Sequence, residues 1–599
     1  MIYESTYTNL PRRIAGVLSA LYAEGGRSEN KKKFAVIDAI LADEKIPLNM
    51  GVAGIHRKGD QLSREVFRIV DRYKTMLAIK MQIDELCKQN NINMPLGETD
   101  AEILKRALDK AWWVRNLSIE VKRRHELANI QLGITGGNGD EYLSKEVAMM
   151  QKRQNAANRK LLESVVVTNG VDKYSLAELA DLGMANKTLR KNELMTRIRG
   201  FEEIATELNH TAMFWTITCP SAYHSVQGRN KKYNGATPRQ AQKYLCKIWS
   251  RMRAAFNREE IRPYGFRIAE PHTDGTPHWH MLFFVDRKDA ARMEQIIKHH
   301  ALAEDFGEWK EEENRVKLVH IETHNGMSAA GYIVKYISKN IDGGGVGDHM
   351  SFKDGETYII KPDMLGQDEI VPSQRVTYWS QVWGIRQFQQ IGGAPVGVWR
   401  ELRRVPAEGI DKMPYEVQEA WEACQKDAVV YLDKEKNPVL DDKGNPTTQA
   451  SFANYLRAQG GVHMGKNYRV RIYKETSIVE GKYATYEQKK PVGIYAASAP
   501  DEIIKSKRYT WERVDVPLAV DFGFAFGGSR TGVNNCTDYA PEWMNRNPER
   551  KQKEEKYSRD HISEAIKNAK GWDFEREYDE NGRLTGDSWT KAQSLRRRR

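Results

Sequence analysis

The stretch Ala269–Asp286 reads AEPHTDGTPHWHMLFFVD. Two runs of extended character flank the turn-forming residues Thr273, Asp274, Gly275, Thr276 and Pro277, which is the pattern of a β-hairpin. The second run ends in Met281, Leu282, Phe283, Phe284 and Val285, apolar enough for a buried strand. It begins with His278, Trp279 and His280. Residues two apart on a strand share a face, so the two imidazoles project together while Trp279 points into the packing of the sheet. Two imidazoles on one face are half of a metal site. The turn folds Glu270, eight residues earlier, back toward them as the expected third ligand, with His272 as its competitor.

Reading outward, TAMFWTITCP (Thr211–Pro220) alternates like a strand, and Pro220 stops it. Thr237 caps a helix whose first residue is Pro238 and which runs to about Arg258. After the hairpin come a helix at about 288–302, a strand in RVKLVHIET and a helix at about 327–340. That order predicts an α+β domain, a central antiparallel sheet with flanking helices. The first two hundred residues read as helical, with Thr99–Glu102 and Ser175–Glu178 in capping-box spacing. The first of these precedes an apolar period running from Ile103 through Trp112, and no site chemistry is evident in this region.

The expected divisions are a helical region at 1–208, the α+β domain at 209–342, an aromatic and basic extension at 343–410, a further domain at 411–544, and a charged, poorly ordered tail at 545–599. The glycine-rich DGGGVGD (Asp342–Asp348) reads as a flexible loop leaving the α+β domain. A chain of 599 residues exceeds one core, and roughly two to four domains are expected. No apolar run of about 18 residues and no secretory signal are evident, so no membrane span is expected. The five cysteines stand singly, which fits a reducing cytoplasm.

The net charge is +12. Much of it is local. Between Arg229 and Arg267 stand eleven Lys or Arg against two acids, an excess of nine. Lys231, Lys232, Arg239, Lys243, Lys247, Arg251 and Arg253 are the expected DNA contacts, interleaved with Tyr233, Tyr244, Trp249, Phe256 and Tyr264. Phosphate attraction beside stacking surfaces is what a single-strand groove requires. The competing reading is a solvated helix face with its aromatics turned into the core.

GYIVKYISKN (Gly331–Asn340) carries a second signal. Tyr332 and Tyr336 are four apart, so on a helix they share a face, roughly 5–6 Å apart at Cβ. Each is followed three residues later by a lysine, Lys335 and Lys339. A phenol with a pKa of about 10 is a weak nucleophile near neutrality. A lysine one turn away favours the phenolate, and a metal held by His278, His280 and Glu270 activates a phosphorus centre. The competing reading is a tyrosine stripe packed on the sheet.

These residues together resemble the HUH endonucleases, the nickases of rolling-circle replication. Among them the chain is most similar to the bacteriophage replication gene A family. FWTIT (Phe214–Thr218) stands where the first motif lies, PHWHMLFF as the metal motif and YIVKYISK as the double-tyrosine motif, and WGIRQFQQIGGAPVGVWRELRR extends the likeness to Arg404. The histidines precede the tyrosines, the order of replication initiators rather than of conjugative relaxases. The resemblance implies a site-specific single-strand endonuclease and strand-joining enzyme that uses Mg²⁺ or Mn²⁺ and forms a 5′-phosphotyrosine intermediate. It also implies origin DNA, single-stranded or supercoiled, as substrate in the cytoplasm of a host bacterium. With no Walker A pattern in the chain, a host helicase would unwind the strands and a host polymerase extend the 3′-OH. The alternatives are a transposase or relaxase of the same superfamily, a metal-dependent nuclease without a covalent step, and a DNA-binding protein without activity.

Overall fold

A computed structural model describes residues 10–514 apart from 25–37, 39–45, 137–138, 226–229, 304–311, 322–327, 342–349, 354–355, 360–362, 366–367, 433–436 and 442–443. Beyond 514 it describes only a hairpin of Trp572–Tyr578 with Leu584–Lys591. The expected loop at 342–348, and the expected tail except for that hairpin, lie outside the described residues.

The centre is one antiparallel sheet of five strands. In chain order these are β1 (Thr211–Thr218), β2 (Tyr264–Pro271), β3 (Pro277–Val285), β4 (Val316–Ile321) and β5 (Phe388–Ile391), and in space β5-β2-β3-β1-β4. All four pairings are antiparallel. The protein thus mixes helix and sheet in the α+β manner. The first four strands stand where the alternation predicts them. The fifth, from the aromatic and basic extension, pairs with β2 across more than a hundred residues of chain.

Because β1, β2 and β3 are interior strands, both of their faces need cover. On one face Phe214, Phe266, Ile268, Leu282 and Phe284 pack against α2 (Lys187–Glu207) and α5 (Ala329–Ile341). On the other face Met213, Trp215, Trp279, Met281 and Phe283 pack against α3 (Pro238–Arg258), α4 (Arg287–Leu302) and α6 (Pro372–Trp383). The first core also takes in Trp399, Tyr455, Val470 and Ile494, and the second takes in Val147 and Met149. The sheet's two cores therefore draw residues from either side of the expected divisions near 208, 342 and 410.

Local chemistry accounts for the element ends. The Thr237 hydroxyl accepts from the Gln240 amide at 3.2 Å while the Gln240 side chain accepts from the Thr237 amide at 2.8 Å. With Pro238 at the first position, this closes the start of α3. In the β2–β3 turn, Gly275 adopts a φ of +81°, and Asp274 accepts from the Thr276 amide at 3.0 Å. The helical period expected from Ile103 through Trp112 is broken. One helix ends at Leu108, and Asp109 caps the next, α1 (Lys110–Leu132), by accepting from the Ala111 amide at 3.0 Å.

The N-terminal helices have a core of their own around Val66, Ile79, Trp113 and Leu117. They also brace the hairpin: the Tyr142 amide donates to the Thr273 carbonyl at 2.9 Å. Trp379 of α6 donates to the Gly275 carbonyl at 2.8 Å. Among the described residues no helix is long and apolar enough to cross a membrane.

Candidate metal centre and tyrosine helix

In the β2–β3 register Glu270 stands directly opposite His278, and in the β1–β3 register Thr216 stands opposite His280. Glu270, His278 and His280 all project to the sheet face that α5 covers. Each offers a ligand atom, and these atoms lie within 4.8 Å of one another. The two Nε2 atoms are 2.9 Å apart, and His280 Nε2 is 3.7 Å from a Glu270 oxygen. Glu270 is 4% exposed and His280 7%. A carboxylate taken that far from water needs a cation or strong donors.

Two imidazole nitrogens facing each other at that separation can share one proton or one cation. Bonds of about 2.0–2.1 Å from each nitrogen to a common ion suit this spacing. The Thr216 hydroxyl lies 3.0 Å from His280 Nδ1. With Nδ1 engaged there, Nε2 is left to present a lone pair. The donor set, two imidazoles and one carboxylate, fits a divalent ion.

Asn340 on α5 is 1% exposed and donates its amide to the second oxygen of Glu270. Neither Asn340 nor Thr216 stands among the site residues expected from the sequence. The signals were present: Asn340 follows Tyr336 by four residues, and Thr216 lies on the histidine face of the FWTIT alternation.

His272 does not join the cluster. It is partly buried in the turn region, its ring 4.1 Å from that of His278 and 5.0 Å from that of His224. Burial, with His224 adding, pushes its pKa down to about 4. Burial alone would raise Asp274, yet its bond to His224 at 3.3 Å and the adjacent positive charge hold it far below the usual carboxylate range.

The tyrosine helix lies over the same ligands. The ring of Tyr336 is 4.3 Å from that of His280 and stacks on Phe214 at 5.3 Å. Tyr332 meets Phe214 at 4.6 Å and lies 6.3 Å from Tyr336, centroid to centroid. Both tyrosines are partly buried against the core, so packing and site geometry coincide. Burial pushes the Tyr336 phenol well above its usual range, and Tyr332 and Glu270 add to this. Such a phenol ionises only when a cation compensates it. Lys335 and Lys339 belong to the same helix, with side chains outside the described residues.

The basic segment requires a correction. Lys243, Lys247, Arg251 and Arg253 are exposed on α3, as is Arg239 at its start, and Lys231 and Lys232 are exposed just before it. But α3 packs on the sheet face opposite the histidines. Its Tyr244, Trp249 and Phe256 are buried in that core, and Tyr264 is buried in β2. The helix is amphipathic, and burying these rings removes far more apolar surface from water than stacking them on bases at the surface would. The expected groove of cations and stacking rings beside the histidines is not formed by these residues.

Residues 49–344 match the family model described as bacteriophage replication gene A protein. Through this region the chain belongs to the bacteriophage replication gene A family. The match takes in the N-terminal helices from residue 49, the first four strands of the sheet and α5, but not β5. Over 448 residues the chain is 36% identical to the replication gene A protein of Escherichia phage 186, covering 73% of this chain and 60% of that one. Over 348 residues it is 35% identical to the replication protein of Haemophilus phage HP1, covering 58% and 43%. It is also 30% identical over 396 residues to a probable replication endonuclease from a prophage-like region of Shigella boydii, covering 65% and 46%. The chain thus spans about half the length of these gene A relatives. No solved structure matches it.

Proposed function

We propose that the chain initiates phage rolling-circle replication as an HUH-type, site-specific single-strand DNA endonuclease and strand-joining enzyme. The observation that carries this reading is the facing of Tyr336 and Tyr332 on α5 toward the Glu270, His278 and His280 cluster. The names of the relatives, replication proteins and a probable replication endonuclease, support it.

His278, His280 and Glu270 would hold Mg²⁺ or Mn²⁺, with imidazoles favouring Mn²⁺ on affinity. The ion supplies Lewis-acid polarisation of the scissile phosphate and a positive charge beside the phenols. The remaining work falls to the chain. Asn340 and Thr216 orient Glu270 and His280, and α5 presents the phenols beside the ligand cluster. The phenol loses its proton and its oxygen bonds to phosphorus. The bond to the 3′ oxygen breaks, that oxygen takes up a proton, and a 5′-phosphotyrosine remains. Lys335 and Lys339, one turn from each tyrosine, would favour the phenolate. After one round the second tyrosine attacks the regenerated junction, and the freed 3′-OH displaces the first. Each step exchanges one phosphodiester for another, so no ATP is consumed. The substrate would be origin DNA in the host cytoplasm, with host helicase and polymerase as partners.

The test is incubation with single-stranded DNA carrying a candidate origin, with and without Mn²⁺, followed by a denaturing gel. A metal-dependent protein–DNA adduct is the expected result. Cleavage without an adduct would indicate a nuclease that uses water, and binding without cleavage would leave a DNA-binding protein.

A further inference from the structure

α3 turns two unlike strips of side chains in opposite directions. Inward go Tyr244, Leu245, Ile248, Trp249, Met252 and Phe256, all buried. Outward go Arg239, Lys243, Lys247 and Arg251, at four-residue intervals and exposed. Arg253 and Arg258 are also exposed, and no acid occurs anywhere in Pro238–Arg258. At 1.5 Å per residue the row from Arg239 to Arg251 extends about 18 Å.

Three features restrict what such a surface can take. Charge in a regular row attracts a polyanion. Single-strand surfaces add aromatic platforms to that charge, and here every ring of the helix is buried in the core. Protein partners are anchored by apolar and aromatic residues, and no large hydrophobic residue of α3 is exposed. What remains is contact with phosphates alone, the manner in which a protein holds the backbone of a duplex.

The row also lies on the side of the sheet opposite Glu270, His278 and His280. A strand lying across the tyrosines would be separated from it by the thickness of the sheet. We infer that the outer face of α3 is a docking surface for the phosphate backbone of double-stranded DNA, separate from the surface that carries the strand to be cut. The inference rests on the proposed DNA-processing role. In that setting it gives the enzyme a grip on the duplex while the opposite face handles the opened strand.

The experiment uses the full chain and three readouts, the third being its binding to polyglutamate. Binding of a blunt duplex of arbitrary sequence is followed by fluorescence anisotropy over a salt series without divalent metal. Adduct formation on single-stranded origin DNA is followed with Mn²⁺. The K243Q/K247Q/R251Q variant should lose duplex affinity by about tenfold or more, and its salt slope should fall by about 2 to 3, close to 0.9 per lost phosphate contact. Its adduct yield on single-stranded DNA should equal that of the unaltered chain. K243R/K247R keeps the charge and should keep duplex binding, which separates charge from misfolding. Unchanged duplex affinity in the glutamine variant overturns the inference. So does an equal loss of single-strand cleavage, which would put the row in the path of the cut strand. Unchanged duplex affinity with lost binding to polyglutamate overturns it too, and would reassign the row to an acidic protein. If the unaltered chain binds duplex but forms no adduct, the proposed activity fails while the docking surface stands.

Discussion

Asn340, on the tyrosine helix, donates its side-chain amide to Glu270 on β2, and the same amide nitrogen lies 2.5 Å from the Tyr336 carbonyl oxygen. One buried side chain therefore fixes the spacing between the tyrosine helix and the candidate ligand carboxylate. Groups that orient metal ligands typically matter 10–100-fold in affinity or activity, so Asn340→Ala should weaken Mn²⁺ binding by about that factor. Titration followed by electron paramagnetic resonance would measure it without reference to cleavage. An unaltered Mn²⁺ affinity in the folded variant would reduce Asn340 to a helix-packing contact.

Neighbouring residues of β3 should fail in different ways. Trp279 is 1% exposed, donates to Gln242 at 3.0 Å and lies 4.2 Å beneath the Arg267 guanidinium. Trp279→Ala should cost about 3–5 kcal/mol in urea unfolding, the usual loss for a large core residue. His280→Ala should keep most of the stability and lose metal-dependent nicking. Glu270→Ala should raise the Mn²⁺ concentration needed for cleavage far more than His272→Ala does. Nicking by a folded His280→Ala protein would end the metal assignment, and the reverse ranking of Glu270 and His272 would identify the other third ligand.

What could be read from the sequence was local, and what was missed depended on distant partners. The alternation of β1, the Thr237–Pro238 start of α3 and the Gly275 turn each declare themselves within a few residues. So does the pairing of His278 with His280, which follows from the period of a strand alone. The side of the sheet that α3 covers depends on the crossover joining β1 to β2, and no residue of the helix specifies it. Its rings recur at helical spacing from Tyr244 to Phe256, which predicts burial whichever face is chosen. The bond from Asn340 to Glu270 spans seventy residues of chain, and β5 reaches β2 from farther still. Asp109 broke an apolar period because its side chain caps α1, a local signal outweighed by the longer pattern.

Acid should destabilise the protein through His125. This residue is 2% exposed, both of its ring nitrogens lack hydrogen-bond partners among the described residues, and burial lowers its pKa from 6.5 to about 4. The folded chain holds it neutral while the unfolded chain lets it protonate, so unfolding takes up a proton. Its contribution is present above pH 6.5 and is lost as the pH falls toward 4. Between pH 7 and pH 5 the loss from this one group is about 2 kcal/mol. His125→Leu, of similar volume, should remove that part of the pH dependence and cost little at pH 7. Urea midpoints of both proteins at the two pH values would decide the matter, and parallel losses would show that His125 does not carry the effect.

The two tyrosines are unequal in their surroundings. Tyr336 lies 4.3 Å from the His280 ring, centroid to centroid, while Tyr332 sits on Phe214 with its ring 6.3 Å from that of Tyr336. Burial keeps the nearer phenol protonated, and it therefore depends on a bound cation to ionise. Tyr336 should make the first attack, and its adduct should show the steeper dependence on Mn²⁺. Phenylalanine removes the nucleophile and keeps the ring on Phe214, so both single variants should fold. Tyr332→Phe should still form an adduct at nearly the normal rate, Tyr336→Phe should form one slowly, and neither should complete cleavage and rejoining. The double variant should form none, and peptide mapping of the trapped adduct should find DNA only within Gly331–Asn340. Faster adduct formation by Tyr336→Phe than by Tyr332→Phe would reverse the order of attack, and an adduct in the double variant would place the nucleophile elsewhere.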